Sequence, residues 1–101
     1  MLSSWSVVIT TSAQNDLQEI YRYIALEDER TAYEFIMAIT GQIFNLADIK
    51  HPGVPRGWVS PGLRMFPFKK RCIYFRLIKN DLIVIRVLHE KKDVSSSFHS
   101  S

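Results

Sequence analysis

The sequence has a single cysteine, Cys72, and no long apolar run. One cysteine cannot form an internal disulfide, and a membrane-spanning helix needs about 18 consecutive apolar residues. The first residues, MLSSWSVVITTSAQ, do not resemble an export signal, because they lack a basic start and their apolar run is short. We therefore expect a cytoplasmic protein in a reducing compartment.

Patterns that bind metals, cofactors or phosphates are also absent from the sequence. The three histidines and Cys72 do not have the spacing of metal ligands, and there is no glycine-rich phosphate loop. Cys72 sits in an apolar segment and is interpreted as a packing residue. The sequence thus predicts neither a metal nor a cofactor.

Charge is distributed unevenly between the two halves of the chain. Residues 1–50 hold 3 Lys/Arg and 7 Asp/Glu, a net charge of −4, whereas residues 51–101 hold 10 and 3, a net charge of +7. This asymmetry is consistent with a basic surface for nucleic acid or an acidic partner. It is equally consistent with a solvated basic edge that prevents strands from pairing with neighbouring molecules.

Two segments of the first half have the apolar spacing of amphipathic helices. The first begins near Ser12, which fits a helix N-cap, and follows a short β-branched strand at residues 7–11. The second ends before the Pro/Gly-rich segment 51–57, which cannot continue a helix. The spacing predicts a helical hairpin from about Ser12 to Ile49. The apolar positions of the two helices are Ala13, Leu17, Ile20, Tyr21, Ile24, Ala32, Phe35, Ile36, Ile39, Ile43 and Leu46.

The second half of the chain alternates with the period of β-strands at residues 63–68, 72–78 and 82–88. Lys79-Asn80-Asp81 has the composition of a tight hairpin turn. The order predicts an α+β fold, β-α-α-β-β-β, with helices on one face of a mainly antiparallel sheet. We expect residues 1–93 to form a single domain and residues 94–101 a disordered tail.

Strand alternation suggests where the arginines of the sheet point. If Ile73, Phe75, Ile83, Ile85 and Val87 pack against the helices, on Leu17, Ile20, Phe35 and Ile39, their neighbours occupy the opposite face. Arg64, Tyr74, Arg76 and Arg86 would then share one surface, a candidate anion-binding or RNA-binding face. The alternative is an ordinary solvent face, where arginines cover apolar surface or pair with carboxylates.

The chain resembles the RelE/ParE superfamily of toxins from bacterial type II toxin–antitoxin systems. The resemblance spans about residues 7–93 and lies in SAQNDLQEIYRYI, in SPGLRMF, and in RCIYFRLIKNDLIVIRVLHEKKD. The ending RVLHEKKD is similar to the ParE branch. The resemblance implies a toxin held inactive by a cognate antitoxin whose segment folds on binding.

The superfamily contains two activities, and the resemblance leaves both open for this chain. RelE-like members cut mRNA on the ribosome; for that activity the candidate residues are Arg64, Arg76, Arg86 and His89. ParE-like members inhibit DNA gyrase without being enzymes, and the similarity of the ending RVLHEKKD to that branch favours this activity. The partner-binding candidates are then Arg64, Tyr74, Arg76, Arg86, Lys91 and Lys92. A third possibility is an inactive binding module.

Overall fold

The computed structural model describes residues 3–98 and begins with strand β1, Ser6–Ile9, followed by helix α1, Thr11–Ala25. The N-cap of α1 is Thr10 rather than the predicted Ser12, which lies inside the helix. The Thr10 hydroxyl accepts a hydrogen bond from the Ala13 N–H and donates to the carbonyl oxygens of Val84 and Ile85. Thr10 therefore caps the helix and also fastens its start to the sheet.

Helix α2, Glu29–Ile49, completes the predicted helical hairpin. Asp28 is its N-cap and accepts hydrogen bonds from the Arg30 N–H and the Thr31 hydroxyl. The helix ends at Lys50, which adopts the left-handed conformation, and its N–H bonds back to carbonyls of the last turn. No helix within residues 3–98 has the length and apolar character needed to cross a membrane.

The sheet has five strands in the order β1-β5-β4-β3-β2. The second to fifth strands are β2, Val54–Pro55, β3, Arg64–Phe68, β4, Arg71–Ile78, and β5, Asp81–His89. Their neighbouring pairs are antiparallel, and β1 joins the edge of β5 as a parallel strand. The predicted α+β fold is confirmed, with the two-residue β2 as an addition.

The helical hairpin packs on one face of this sheet and forms the larger core. Its fully buried members include Ile39 and Ile43 of α2, Phe75 of β4, and Leu82 and Val84 of β5. Burying such side chains contributes about 1.5–3 kcal/mol each. The predicted packing of Ile73, Phe75 and Val87 against Ile20 and Ile39 is confirmed.

A second apolar cluster occupies the other face of the sheet. It consists of Leu63, Met65, Tyr74 and Leu88, covered by Val59, Ile85 and a short helix, α3, Val94–Phe98. The helical conformation at Val94–Phe98 differs from the disordered tail predicted from residue 94, because Val94 and Phe98 pack on this cluster. The rest of that predicted tail, residues 99–101, lies outside the described residues.

The predicted face of the sheet is wrong for the side chains of β3 and for those of β5 before the register shift. Met65 of β3 and Leu63 just before it belong to the second cluster, whereas Phe66 and Phe68 face the helices. In β5, a register shift places Phe75 opposite Val84 and Tyr74 opposite Arg86, so that one residue of β5 is additional. Leu82 and Val84 therefore face the helices before the shift and Val87 after it. Ile83 and Ile85, predicted to be buried there, are only half-buried, and Ile85 packs on the second cluster.

Candidate functional site

Arg86 lies where β1 stops pairing with β5. The parallel ladder ends at Ile9 and Val84, so the remaining edge of β5 faces helix α1 directly. Arg86 donates from Nε and Nη2 to the two carboxylate oxygens of Asp16, at 2.7 and 3.0 Å. The backbone N–H of Val87 donates to the same carboxylate at 2.9 Å. Asp16 thus satisfies a strand-edge donor and a guanidinium together.

This ion pair is largely withdrawn from water, with the Arg86 side chain 25% exposed and that of Asp16 9% exposed. The hydrogen bonds that Arg86 donates to Asp16 raise the pKa of Arg86, against the opposing effect of burial. Arg86 also donates to the carbonyl oxygen of Ser97 in α3, at 3.4 Å. Its charge is therefore neutralised within the protein, and it connects α1, β5 and α3.

Asp16 was not among the residues singled out from the sequence. The signal for it is its position on α1, because Ala13, Asp16 and Ile20 are spaced by three and four residues on the buried side of the helix. A carboxylate on a buried helical face requires a partner. That partner, Arg86, is 70 residues away in the sequence.

A cleft of about 350 Å³ opens beside this ion pair, between α1 and the end of the sheet. It contains both apolar and charged side chains, so it suits a partner that offers both kinds of contact. His89 is exposed at its edge, and its Nδ1 accepts a hydrogen bond from the Lys91 N–H at 3.1 Å. The residues that line the cleft are Asp16, Glu19, Ile20, Tyr23, Arg71, Arg86, Val87, Leu88, His89 and Lys92.

The other predicted site residues lie elsewhere. Arg64 shares the helix side of β3 with Phe66, and its Nε donates to the carbonyl oxygen of Pro52. Arg76 lies on the opposite face, where it donates to the Ser60 hydroxyl and the Pro61 carbonyl oxygen. The single arginine-lined face predicted from alternation is therefore wrong, and Arg64 and Arg76 instead hold loops against the sheet.

Tyr74, predicted on the same exposed surface, is buried in the second cluster. The ring of Phe98 packs edge-on against it with the ring centroids 5.3 Å apart. Burial raises the pKa of the Tyr74 hydroxyl, and burial likewise raises the pKa of the neighbouring Cys72 thiol. Both groups are therefore neutral packing residues near neutral pH, as expected for Cys72 from the sequence.

A second cleft, of about 570 Å³, lies at the turn of the helical hairpin. It shares Tyr23 with the first cleft and is lined further by Ile24, Leu26, Glu27, Asp28 and Thr31. Along α2, the side chains of Tyr33, Met37 and Phe44 form an exposed apolar stripe at helical spacing. These three residues of the stripe were not among the apolar positions from which the sequence analysis predicted the two helices.

Within residues 3–98, no cluster of three or more histidine, cysteine or carboxylate side chains could hold a metal ion. The charged side chains that line the first cleft are those of arginine, lysine, aspartate and glutamate.

The family model described as "ParE toxin of type II toxin-antitoxin system, parDE" matches residues 7–94. A solved structure titled as the chromosomal ParDE system from P. aeruginosa has a TM-score of 0.72 and 24% identity, covering 85% of this chain and 96% of that one. The toxin–antitoxin complex RelBE2 from Mycobacterium tuberculosis has a TM-score of 0.62 and 17% identity, covering 86% and 99%. No curated protein matches the chain.

Because the family model covers most of the chain, this chain belongs to the ParE toxin family of type II toxin–antitoxin systems. The two solved structures have the same fold as this chain.

Proposed function

We propose that this toxin is neutralised by a cognate antitoxin and that its cellular target is DNA gyrase. The observation that carries the proposal is the match to the ParE family over residues 7–94. Both similar structures are titled as toxin–antitoxin systems, which supports the antitoxin partner. Gyrase as the target follows from the similarity to the ParE branch.

The exposed apolar surface of the helical hairpin supports a protein partner. Tyr23 and Leu26 of the hairpin turn, and the α2 stripe of Tyr33, Met37 and Phe44, are each at least half exposed. Exposed apolar groups at helical spacing suit a segment that folds on binding and places its own apolar side chains on them. An antitoxin of this kind would cover a large surface with a short segment.

The contacts of the three arginines predicted as nuclease residues favour a non-enzymatic toxin over an mRNA nuclease. Metal-free RNA cleavage needs cations free to stabilise charge on the scissile phosphate, together with a general acid and base. Here Arg64 and Arg76 are bonded to loop groups on opposite faces of the sheet, and Arg86 is paired with Asp16. Lys91 and Lys92 are exposed, and we assign them to the surface that contacts gyrase.

One preparation of the toxin, freed of antitoxin, tests this proposal in two assays. We expect inhibition of gyrase supercoiling or accumulation of cleaved DNA, with ribosome-bound mRNA left intact. Cuts at regular codon positions without any effect on gyrase would establish the RelE-like nuclease activity instead. Inactivity in both assays would leave an inactive binding module.

The double variant Lys91→Gln, Lys92→Gln tests the assigned surface. We expect it to weaken gyrase inhibition on the order of 10-fold, because two cations are removed from the contact. The matched control is Lys50→Gln, Lys79→Gln, which removes the same charge from exposed positions elsewhere. Equal loss in both variants would show that net charge, and not this surface, matters.

A further inference from the structure

Arg71 lies at the start of β4, and its Nε–H does not donate to any acceptor within residues 3–98. This Nε is buried and has no hydrogen-bond partner among residues 3–98. The guanidinium lies over the ring of Phe35, with 5.8 Å from its central carbon to the ring centroid. Arg71 is paired across the strands with His89, and both line the first cleft. A buried donor without an acceptor costs about 1–3 kcal/mol, so a guanidinium that turned toward the cleft to meet an acceptor of a ligand would recover this energy.

The other charges of the cleft leave Arg71 without a counter-ion of its own. Asp16 is engaged by Arg86 and by the Val87 N–H. The carboxylate of Glu19, on α1, lines the same cleft as the two cations Arg71 and Lys92. Taken with the neutralised Asp16–Arg86 pair, the lining of the cleft has a formal charge of +1.

We propose that this cleft binds a carboxylate side chain of an extended peptide segment, with Arg71 as the bidentate donor and Lys92 beside it. The identification of that segment as part of the antitoxin rests on the proposed function. Arginine matches a carboxylate geometrically through two parallel N–H donors, and the Phe35 ring holds the guanidinium plane in position.

The composition of the cleft favours a peptide over a nucleic acid. Glu19 would repel successive phosphates, whereas a single carboxylate flanked by apolar side chains fits the mixed lining that Ile20 and Tyr23 provide. Tyr23 also belongs to the second cleft, where Glu27 and Asp28 supply negative charge. The bound segment therefore has an acidic residue at Arg71 and a basic or polar residue toward the hairpin turn.

The first experiment uses free toxin and does not need the antitoxin. The Nε–H resonance of Arg71 is followed by NMR while the capped tripeptide Leu-Glu-Leu, its neutral analogue Leu-Gln-Leu, or inorganic phosphate is added. We expect a saturable shift with the acidic tripeptide alone. Absence of a shift, or an equal shift with the neutral analogue, would overturn the proposal. An equal response to phosphate would identify a general anion site and overturn the peptide assignment.

The second experiment compares Arg71→Gln with Lys70→Gln, which removes the same charge from the exposed neighbouring turn residue. With the antitoxin encoded beside this gene, we expect Arg71→Gln to raise Kd by about 10- to 100-fold, as for one charged hydrogen-bonded contact. Lys70→Gln should change Kd by less than about 3-fold, since exposed charges contribute little.

Thermal unfolding separates a binding role of Arg71 from a structural one. The Nε of Arg71 has no acceptor among residues 3–98, so its removal breaks no hydrogen bond there. Arg71→Gln should therefore leave Tm within a few degrees of wild type while affinity for the antitoxin is lost. Equal affinities of Arg71→Gln and wild type, or a loss of affinity that only follows unfolding, would overturn the proposal. If wild type does not bind the antitoxin at all, the proposed function fails, and the NMR titration alone decides the role of the cleft.

Discussion

The ion pair between Asp16 and Arg86 is predicted to be the largest single polar contribution to the stability of this toxin. Asp16→Ala removes two charge-assisted hydrogen bonds to Arg86 and one to the Val87 N–H. Removing one partner of a buried pair costs about 3–5 kcal/mol. Because the Arg86 side chain is 25% exposed and can regain water, we expect about 3 kcal/mol for this variant.

The contribution of the pair itself is obtained from a double-mutant cycle. Arg86→Ala leaves the Asp16 carboxylate with the Val87 N–H as its one protein donor among residues 3–98, so its cost should also be about 3 kcal/mol. The double variant should lose less than the sum of the two, giving a coupling energy of about 1.5–3 kcal/mol. Urea unfolding followed by circular dichroism measures all four free energies of unfolding.

The matched control is the surface pair of Arg30 and Glu34, whose side chains are 86% and 63% exposed. Its coupling energy should be about 0.5 kcal/mol or less, because water screens the charges. A coupling energy for Asp16 and Arg86 as small as that of the control would refute the assignment of Arg86 to a structural ion pair.

Four further predictions each concern a substitution at a single position. Gly53→Ala should cost about 2–4 kcal/mol, because Gly53 has φ +66° and an added Cβ would lie 2.7 Å from Cζ of Phe75. At Gly41 an added Cβ meets nothing within 4 Å, so Gly41→Ala should instead stabilise helix α2 by up to about 1 kcal/mol. Equal shifts of the urea midpoint in the Gly53 and Gly41 variants would contradict both predictions. Lys70 has φ 65°, a left-handed conformation that glycine adopts without strain, so Lys70→Gly should raise the free energy of unfolding by about 0.5–1 kcal/mol. A lower free energy of unfolding would show that the contacts of the Lys70 side chain outweigh this strain. The hydrogen bond from the Thr31 hydroxyl lowers the pKa of Asp28 below 3.8. The ionised Asp28 carboxylate therefore stabilises the fold above pH 3.8, and this stabilisation is lost as the pH falls through the lowered pKa. Asp28→Asn should therefore lose less stability than wild type on acidification, and parallel acid unfolding curves would argue against this role of the N-cap.

Local sequence patterns predict two of the three helices and four of the five strands among residues 3–98, and with them the class of fold. The apolar spacing of α1 and α2 predicts the helical hairpin that the structure shows from Thr11 to Ile49. The turn at 79–81 and the alternation around it predict the β4–β5 hairpin. These features are local, because helix periodicity, turn residues and β-branched segments act over a few residues.

The face of the sheet that each side chain occupies depends on strand register and on contacts between distant segments, which local patterns do not specify. A register shift at Tyr74 and Phe75 reverses the alternation of β5, and a shift of one residue moves every following side chain to the other face. The second cluster, under α3, also gives the sheet two apolar faces, so that alternation could not identify the helix side of β3. The same reasoning placed Tyr74 correctly on the face opposite the helices but did not predict that Phe98 covers it.

The candidate site depended even more on the tertiary structure. The sequence left open whether Arg86 pairs with a carboxylate and did not identify Asp16, which lies beside it because β1 is short and leaves the β5 edge open to α1. Arg71 was not among the candidate site residues, and its position in the cleft accompanies the contact of its guanidinium with Phe35 of α2. Contacts between residues distant in the sequence are set by the packing of whole elements, and the pattern within one segment cannot specify them.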